Sequence, residues 1–131
     1  MSQIASFDID GVIFNGHGVP GIYPGPKDII VTGRSFEEEP ETIKMLQDRG
    51  IRNTVYFNDL PFDKKTRESS GYHKAETLNR LMGAGMNIIS HYEDDEVQAN
   101  IIESLSTVYV IRVINPAVPK ENRRQDELIT K

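Results

Sequence analysis

The chain contains no cysteine, and this absence excludes disulfides, thiolate metal sites and a cysteine nucleophile. It also lacks an apolar run long enough to span a bilayer, and its start does not combine cationic residues with an apolar stretch as a signal peptide does. The formal net charge is only -5, with both signs mixed along the chain. Nothing global therefore draws it to nucleic acid or to anionic membrane, and we expect a cytoplasmic protein with no membrane partner.

The length of the chain bounds the number of its domains. A chain of 131 residues has the commonest size for one compact domain, and no internal repeat or low-complexity block divides it. From Asn115 onward the sequence is polar and includes two prolines. We therefore expect one folded domain over residues 1–115 and a polar C-terminal tail over 116–131.

Apolar segments of strand length alternate with segments of helical periodicity. This alternation predicts an α/β, three-layer Rossmann-like fold in which a five-stranded parallel sheet carries helices on both faces. Ligands of such sheets bind at the carboxyl ends of the strands. The predicted strands are 3–9, 28–32, 51–57, 87–92 and 107–114, and the predicted helices are 33–50, 73–85 and 95–105.

Local signals mark the ends and the buried faces of the helices. Ser35 is suited to cap the first helix, Glu38 completes a capping box, and Gly50 is suited to end the helix. Lys74 is expected at the start of the second helix. The apolar stripes expected to face the core are Leu78, Leu81 and Met82 in the second helix and Val97, Ile101 and Leu105 in the third.

The stretch "SFDIDGVIF" has the apolar character of a buried strand but contains Asp8 and Asp10. Burying two like charges is costly unless an opposite charge compensates them. Crowded carboxylates suit Mg²⁺, and a metal, a nucleophilic carboxylate, a lysine and a hydroxyl are the parts needed for phosphoryl transfer. Such groups follow the other strands or begin the second helix, and should meet at one edge of the sheet: Thr32, Gly33, Arg34, Lys74, Glu93, Asp94 and Asp95.

Four motifs in this set resemble those of the haloacid dehalogenase-like (HAD) superfamily. "FDIDGV" resembles the first motif, "IIVTGRS" the second, "HKAETL" the third and "NIISHYEDD" the fourth. They occur in the order of the family and extend over residues 4–95. The resemblance implies a Mg²⁺-dependent phosphatase that works through an aspartyl-phosphate.

The resemblance also implies a role for each matching position. Asp8 would be the nucleophile, and Asp10 would be the general acid and base. Thr32 and Lys74 would hold the transferring phosphoryl group, and the Gly33–Arg34 segment would contribute to substrate binding. For Arg34 the sequence leaves two readings open, a contact to phosphate or substrate and a salt bridge to a glutamate of the following helix, Glu37 or Glu38.

The metal ligands implied by the resemblance come from the first and fourth motifs. Asp94 would bind Mg²⁺ together with the Asp8 carboxylate and the Asp10 backbone carbonyl, and Asp95 would be a ligand directly or through water. The family often has glycine where this chain has Glu93. The choice of metal ligand among residues 93, 94 and 95 therefore stays open.

The spacing of the motifs leaves no room for the cap domain that many HAD members carry. An open site could accept a phosphorylated small molecule or a nucleic-acid end, and a second copy of the chain could close it. "VTGR" before a charged helix also resembles the phosphatase domain of phage-type polynucleotide kinase-phosphatases. Loop residues that could reach a substrate are His17 and Tyr23 in one loop and Lys64, Lys65 and Arg67 in another.

Two other functions compete with this interpretation. A phosphoacceptor domain resembling response-regulator receivers has this size and a doubly wound sheet, and Asp59 would be its acceptor after the third strand. The order of its other motifs fits this chain less well. A HAD fold could also serve as a non-catalytic, phosphate-binding regulatory module. The histidines, His91 in particular, are expected to be structural or exposed rather than catalytic.

Overall fold

The computed structural model describes residues 2–16 and 18–114, so His17 and the predicted tail at 116–131 lie outside the described residues. Five parallel strands form one sheet in the order 3-2-1-4-5. The strands are β1 Ile4–Phe7, β2 Ile29–Ser35, β3 Val55–Asn58, β4 Ile88–Glu93 and β5 Tyr109–Arg112. The helices are α1 Glu39–Asp48, α2 Arg67–Gly83 and α3 Glu96–Leu105, and single 3₁₀ turns occupy Phe36–Glu38 and Phe62–Lys64.

The sheet is covered on both faces, which confirms the predicted α/β, three-layer architecture. Side chains alternate between the two faces of a strand, and β2 shows this clearly. Ile30 belongs to a buried cluster with Leu46 of α1, whereas Ile29 and Val31 belong to the cluster formed with α2 and α3. Within the described ranges, no helix has the length and apolar character needed to cross a membrane.

The entry into α1 follows the predicted capping box. The Ser35 hydroxyl accepts the Glu37 amide hydrogen, and the Glu38 carboxylate accepts the Ser35 amide hydrogen. The first turn is 3₁₀, and the α-helix begins only at Glu39. The chain leaves α1 through Gly50, whose φ of 74° is in the left-handed region that favours glycine. The capping box at Ser35 and the end near Gly50 are confirmed, but the helical segment is shorter than the predicted 33–50 because residues 33–35 belong to β2.

The start of α2 differs from the prediction. The helix begins at Arg67 rather than at His73, because Thr66 and Ser69 form a capping box in which each side chain accepts the other's backbone amide hydrogen. Lys74 therefore lies about two turns inside the helix and not at its start. The predicted loop at 58–72 is correspondingly shorter.

The helix faces agree with the prediction in α2 and differ in α3. Leu78 is buried, and Leu81 and Met82 pack against the same core. In α3 the buried side chains are Gln98, Ala99 and Ile102, while Val97 and Ile101 are half-buried and Leu105 is exposed. Ile101 of the predicted stripe packs on α2, where it lies so close to Gly71 that a Cβ at position 71 would be 3.0 Å from its Cδ1.

The strand order places a crevice between β1 and β4. From β1 the chain winds outward through β2 to β3, and it then returns to the other side of β1 to form β4 and β5. Ligands of doubly wound sheets bind where the strand order reverses, beyond the carboxyl ends of the strands. Here that point lies next to Asp8, which follows β1, and Glu93, which ends β4.

Candidate functional site

The chain turns sharply after β1, and this turn separates the two aspartates of the first motif. The Asp8 amide still donates to Tyr92 O at 3.1 Å, but the Ile9 carbonyl accepts from Val12 at 3.2 Å and from Ile13 and Phe14 at 2.9 Å. The strand thus ends before the predicted boundary at residue 9. Asp8 and Asp10 do not continue one strand face, and their carboxylates reach different partners.

Gly11 brings this turn close to the fourth motif. Its φ of 88° is in the left-handed region. A Cβ at this position would overlap the Asp94 carboxylate. Glycine is therefore required at position 11 for two reasons: the turn needs its conformation, and Asp94 occupies the space that a side chain would need.

A buried ion cluster lies at the crevice. The Nζ of Lys74 is 3.0 Å from Asp8 Oδ1 and 2.7 Å from Glu93 Oε1, and all three residues are at most 1% exposed. Lysine and carboxylates are almost never fully buried unless they are paired. The position of Lys74 inside α2, rather than at its end, carries its ammonium group between β1 and β4.

Glu93 contacts several groups around the cluster. Besides Lys74, its Oε1 is 3.0 Å from Nε2 of the buried His91, and its Oε2 accepts the Asp95 amide hydrogen at 3.2 Å. The other ring nitrogen of His91 is 2.8 Å from the Ser6 hydroxyl. A carboxylate only accepts, so Nε2 of His91 carries the hydrogen of that bond. His91 is a structural residue, as the sequence suggested, and it holds Glu93 in place.

Asp8, Glu93 and Asp94 each offer a carboxylate oxygen, and these oxygens lie within 4.8 Å of one another. Oxygen ligands of this kind suit Mg²⁺, which usually takes carboxylates together with waters and phosphate oxygens. Together with Lys74 the three carboxylates sum to a negative charge, which a divalent cation would offset. The donor set therefore fits the expected metal.

Asp95, predicted as a metal ligand, uses its carboxylate elsewhere, and so does Asp10, whose predicted metal ligand is its backbone carbonyl. Asp10 forms a bidentate pair with Arg34, with Nε–Oδ2 and Nη2–Oδ1 distances of 2.9 and 2.7 Å. Asp95 caps α3 by accepting from the Gln98 amide, and its Oδ1 is 2.8 Å from Nη2 of Arg67. In the part of the chain that the structure describes, the carboxylate cluster has Glu93 where the sequence suggested Asp95.

The remaining predicted residues line the same edge of the sheet. Thr32 is fully buried, and its Oγ1 accepts the Arg34 amide hydrogen at 3.0 Å. Gly33 lies between them at the carboxyl end of β2, and its carbonyl accepts from Lys65 Nζ at 3.2 Å. The Arg34 guanidinium pairs with Asp10 and not with Glu37 or Glu38, so the predicted alternative of a salt bridge to these glutamates is wrong.

Lys65 and Arg67 do not form the exposed basic group considered from the sequence. Lys65 is buried, and its Nζ lies 2.9 Å from Glu38 Oε2. Arg67 pairs with Asp95. Only Lys64 of the three is exposed. Lys65 and Arg67 therefore neutralise carboxylates around the site.

His73, which precedes Lys74, carries no charge near neutral pH. Burial and, to a smaller extent, the positive charge of Lys74 lower its pKa from 6.5 to about 4. Its Nδ1 lies 3.5 Å from the Thr77 hydroxyl. The imidazole is therefore a neutral neighbour of the buried ion cluster. This agrees with the structural role expected for the histidines.

Comparison with known proteins does not assign a family, since neither a protein-family model nor a curated protein matches this chain. The functional argument therefore depends on the geometry of the site and on the four sequence motifs. In that geometry Asp8, Lys74 and the acidic end of β4 come together at the crevice. Asp59, by contrast, is an exposed residue just after β3.

Replacing Glu93 and Asp95 separately by the corresponding amides tests which of the two acids binds the metal. We expect Glu93→Gln to weaken Mg²⁺ binding about tenfold or more, because it removes a charged oxygen from the cluster. Asp95→Asn should leave Mg²⁺ affinity unchanged and should lower the free energy of unfolding by about 1 kcal/mol through the weakened cap and the lost Arg67 pair. Calorimetric titration with Mg²⁺ and denaturant unfolding measure the two effects, and the opposite pattern would assign the metal to Asp95.

Proposed function

We propose that this protein is a Mg²⁺-dependent phosphatase of the HAD class, which hydrolyses a phosphomonoester through an aspartyl-phosphate on Asp8. The observation that carries the proposal is the contact of the Asp8 carboxylate with Lys74 inside a cluster of acids, at the switch point of the sheet. Strongly interacting buried ionisable groups in a cleft are typical of active sites. The four motifs of the sequence support the same reaction.

In the first step Asp8 acts as the nucleophile. One Asp8 oxygen forms a bond to phosphorus while the bond from phosphorus to the leaving oxygen breaks, and Asp10 gives its proton to that oxygen. In the second step a water oxygen attacks phosphorus, the bond to Asp8 breaks, and Asp10 takes the proton of the water. Inorganic phosphate leaves, and both aspartates return to their starting states.

The remaining groups would hold the charge that moves during these steps. Mg²⁺, held by Asp8, Glu93 and Asp94, would when bound supply positive charge to the phosphoryl oxygens. Lys74 would offset negative charge beside the nucleophile, and the Thr32 hydroxyl and the Gly33 amide offer hydrogen bonds to the phosphoryl group. Each lies at the carboxyl end of β1, β2 or β4 or projects there from α2.

The substrate is a phosphomonoester that does not need to be enclosed. Between β1 and β2 the described residues form a loop with no helix or strand, and Tyr23 of this loop is exposed. A site without a folded cap admits a phosphorylated small molecule or the end of a nucleic acid. A second copy of the chain could supply the missing cover.

The strand order favours this reaction over a receiver-like phosphoacceptor domain. Doubly wound sheets of the receiver type have the order 2-1-3-4-5, whereas this sheet has the order 3-2-1-4-5. The candidate acceptor of that alternative, Asp59, is exposed, and the buried lysine contacts Asp8 instead. A non-catalytic module would share the whole site and would differ by binding phosphate and Mg²⁺ without turnover.

Phosphate release from a panel of phosphomonoesters tests the proposal. The panel includes sugar phosphates, nucleoside monophosphates, a phosphopeptide and oligonucleotides with a 3′-phosphate, each assayed with Mg²⁺ and with EDTA. We expect turnover of at least one ester that depends on Mg²⁺. Phosphate and Mg²⁺ binding without release of phosphate from any ester would favour the regulatory module.

A further inference from the structure

All three nitrogens of the Arg34 guanidinium donate hydrogen bonds, and two of them bind Asp10. Nε and Nη2 donate to the two oxygens of Asp10, and Nη1 donates to the Thr42 hydroxyl at 3.1 Å. The side chains of Arg34 and Asp10 are only 14% and 9% exposed, and Thr42 is fully buried in α1. The contact therefore connects β2 and α1 to the turn after β1.

Such an arrangement orients a carboxylate more strictly than a single bond could. A bidentate pair fixes the plane of the carboxylate, because both oxygens must face the planar guanidinium. The third bond, to Thr42, fixes the guanidinium itself. A carboxylate oxygen has more than one lone pair, so an Asp10 oxygen that accepts a hydrogen bond from Arg34 can also carry or accept the transferred proton.

We propose that Arg34 is a positioning residue that aims Asp10 at the leaving oxygen, and that Thr42 anchors it. This assignment rests on the proposed phosphatase reaction. It differs from the substrate-binding role expected from the sequence, in which the guanidinium would contact the phosphoryl group. Arg34 acts on the reaction through Asp10.

The dependence of the rate on the leaving group distinguishes these roles. An alkyl phosphate has a poor leaving group, which needs the proton from Asp10, whereas p-nitrophenyl phosphate has a good one, which leaves without it. The value of kcat/KM reports the steps through loss of the leaving group. We expect Arg34→Met to lower kcat/KM about 100-fold for the alkyl ester and less than about tenfold for the aryl ester.

Three further variants make the test specific. Arg34→Lys keeps the charge but loses the planar fork, so it should show the same selective loss. Thr42→Val should show a smaller loss with the same selectivity, and it carries the test if Arg34 variants fold poorly. Arg52→Met, which removes an exposed arginine before β3, should leave both esters unaffected.

The double variant gives the clearest outcome. If Arg34 acts through Asp10, Arg34→Met in an Asp10→Asn background should not change the ratio of the two kcat/KM values any further. An equal loss for both esters, or a full additional loss in that background, would overturn the positioning role and favour direct contact with the phosphoryl group. These outcomes bear on the assignment of Arg34 alone, whereas the absence of phosphate release from every ester of the panel and from both of these esters would overturn the proposed function, and this assignment with it.

Discussion

Lys74→Met is expected to lower the free energy of unfolding by about 3–5 kcal/mol in the absence of divalent metal. The substitution roughly preserves the volume of the side chain and removes the ammonium group that lies 3.0 Å from Asp8 and 2.7 Å from Glu93. The buried carboxylates of Asp8 and Glu93 then lose the positive charge that both of them contact. Breaking a buried ion pair by removing one partner is costly for this reason.

Mg²⁺ should restore part of the lost stability. A cation bound by Asp8, Glu93 and Asp94 would replace some of the missing positive charge, and binding to the folded state alone stabilises it by mass action. Denaturant unfolding in EDTA and in excess Mg²⁺ measures the difference. We expect the variant to gain more from Mg²⁺ than the wild-type protein gains.

Lys44→Met is the matched control. Lys44 pairs with Asp48 on the surface of α1 at 3.4 Å, and its side chain is 76% exposed. An exposed pair of this kind contributes less than about 0.5 kcal/mol. If Lys74→Met were as stable in EDTA as Lys44→Met, Lys74 would not compensate the buried acids, and the account of the cluster would be wrong.

Asp8→Asn should abolish phosphatase activity, with a loss of about 1,000-fold or more in kcat. The amide has nearly the same shape as the carboxylate but is a very poor nucleophile, and it also removes one charged ligand of the metal. The fold should survive, because the pair between Lys74 and Glu93 remains. The stability change should be smaller than that of Lys74→Met.

Asp59→Asn is the control for the nucleophile. Asp59 is exposed after β3, where a receiver-like domain would carry its phosphoacceptor. We expect this variant to keep full activity. Loss of phosphorylation in Asp59→Asn combined with its retention in Asp8→Asn would reverse the assignment and support the signalling alternative.

The sequence predicts the architecture well because the signals for it are local. Alternating apolar strands and helices require a parallel sheet covered on both faces. The capping box at Ser35 and the glycine at position 50 mark the ends of the first helical segment. The start of α2 was missed because Ser69 replaces the usual glutamate of a capping box and because Gly71 lowers helix propensity. In the structure Gly71 instead allows Ile101 of α3 to pack closely.

The sequence predicts that the candidate site residues lie at one edge of the sheet, but it does not show which acid pairs with which cation. The sequence leaves the metal ligand open among residues 93–95, and the structure places the carboxylate of Glu93 in the cluster with those of Asp8 and Asp94. The separation of Asp8 from Asp10 depends on the turn at Ile9, and the pairing of Asp10 with Arg34 depends on contacts between loops. Such contacts have no periodic signal in the sequence. Their partners become visible only in the folded chain.

The most direct test of the central claim is detection of the phosphoryl group on Asp8. The protein is mixed with its best substrate and Mg²⁺, quenched with acid during turnover, digested and sequenced by tandem mass spectrometry. The account predicts one added phosphoryl group on Asp8, absent from Asp8→Asn and present in Asp59→Asn. Turnover without a phosphoryl group on Asp8, or with one on another residue, would contradict the account.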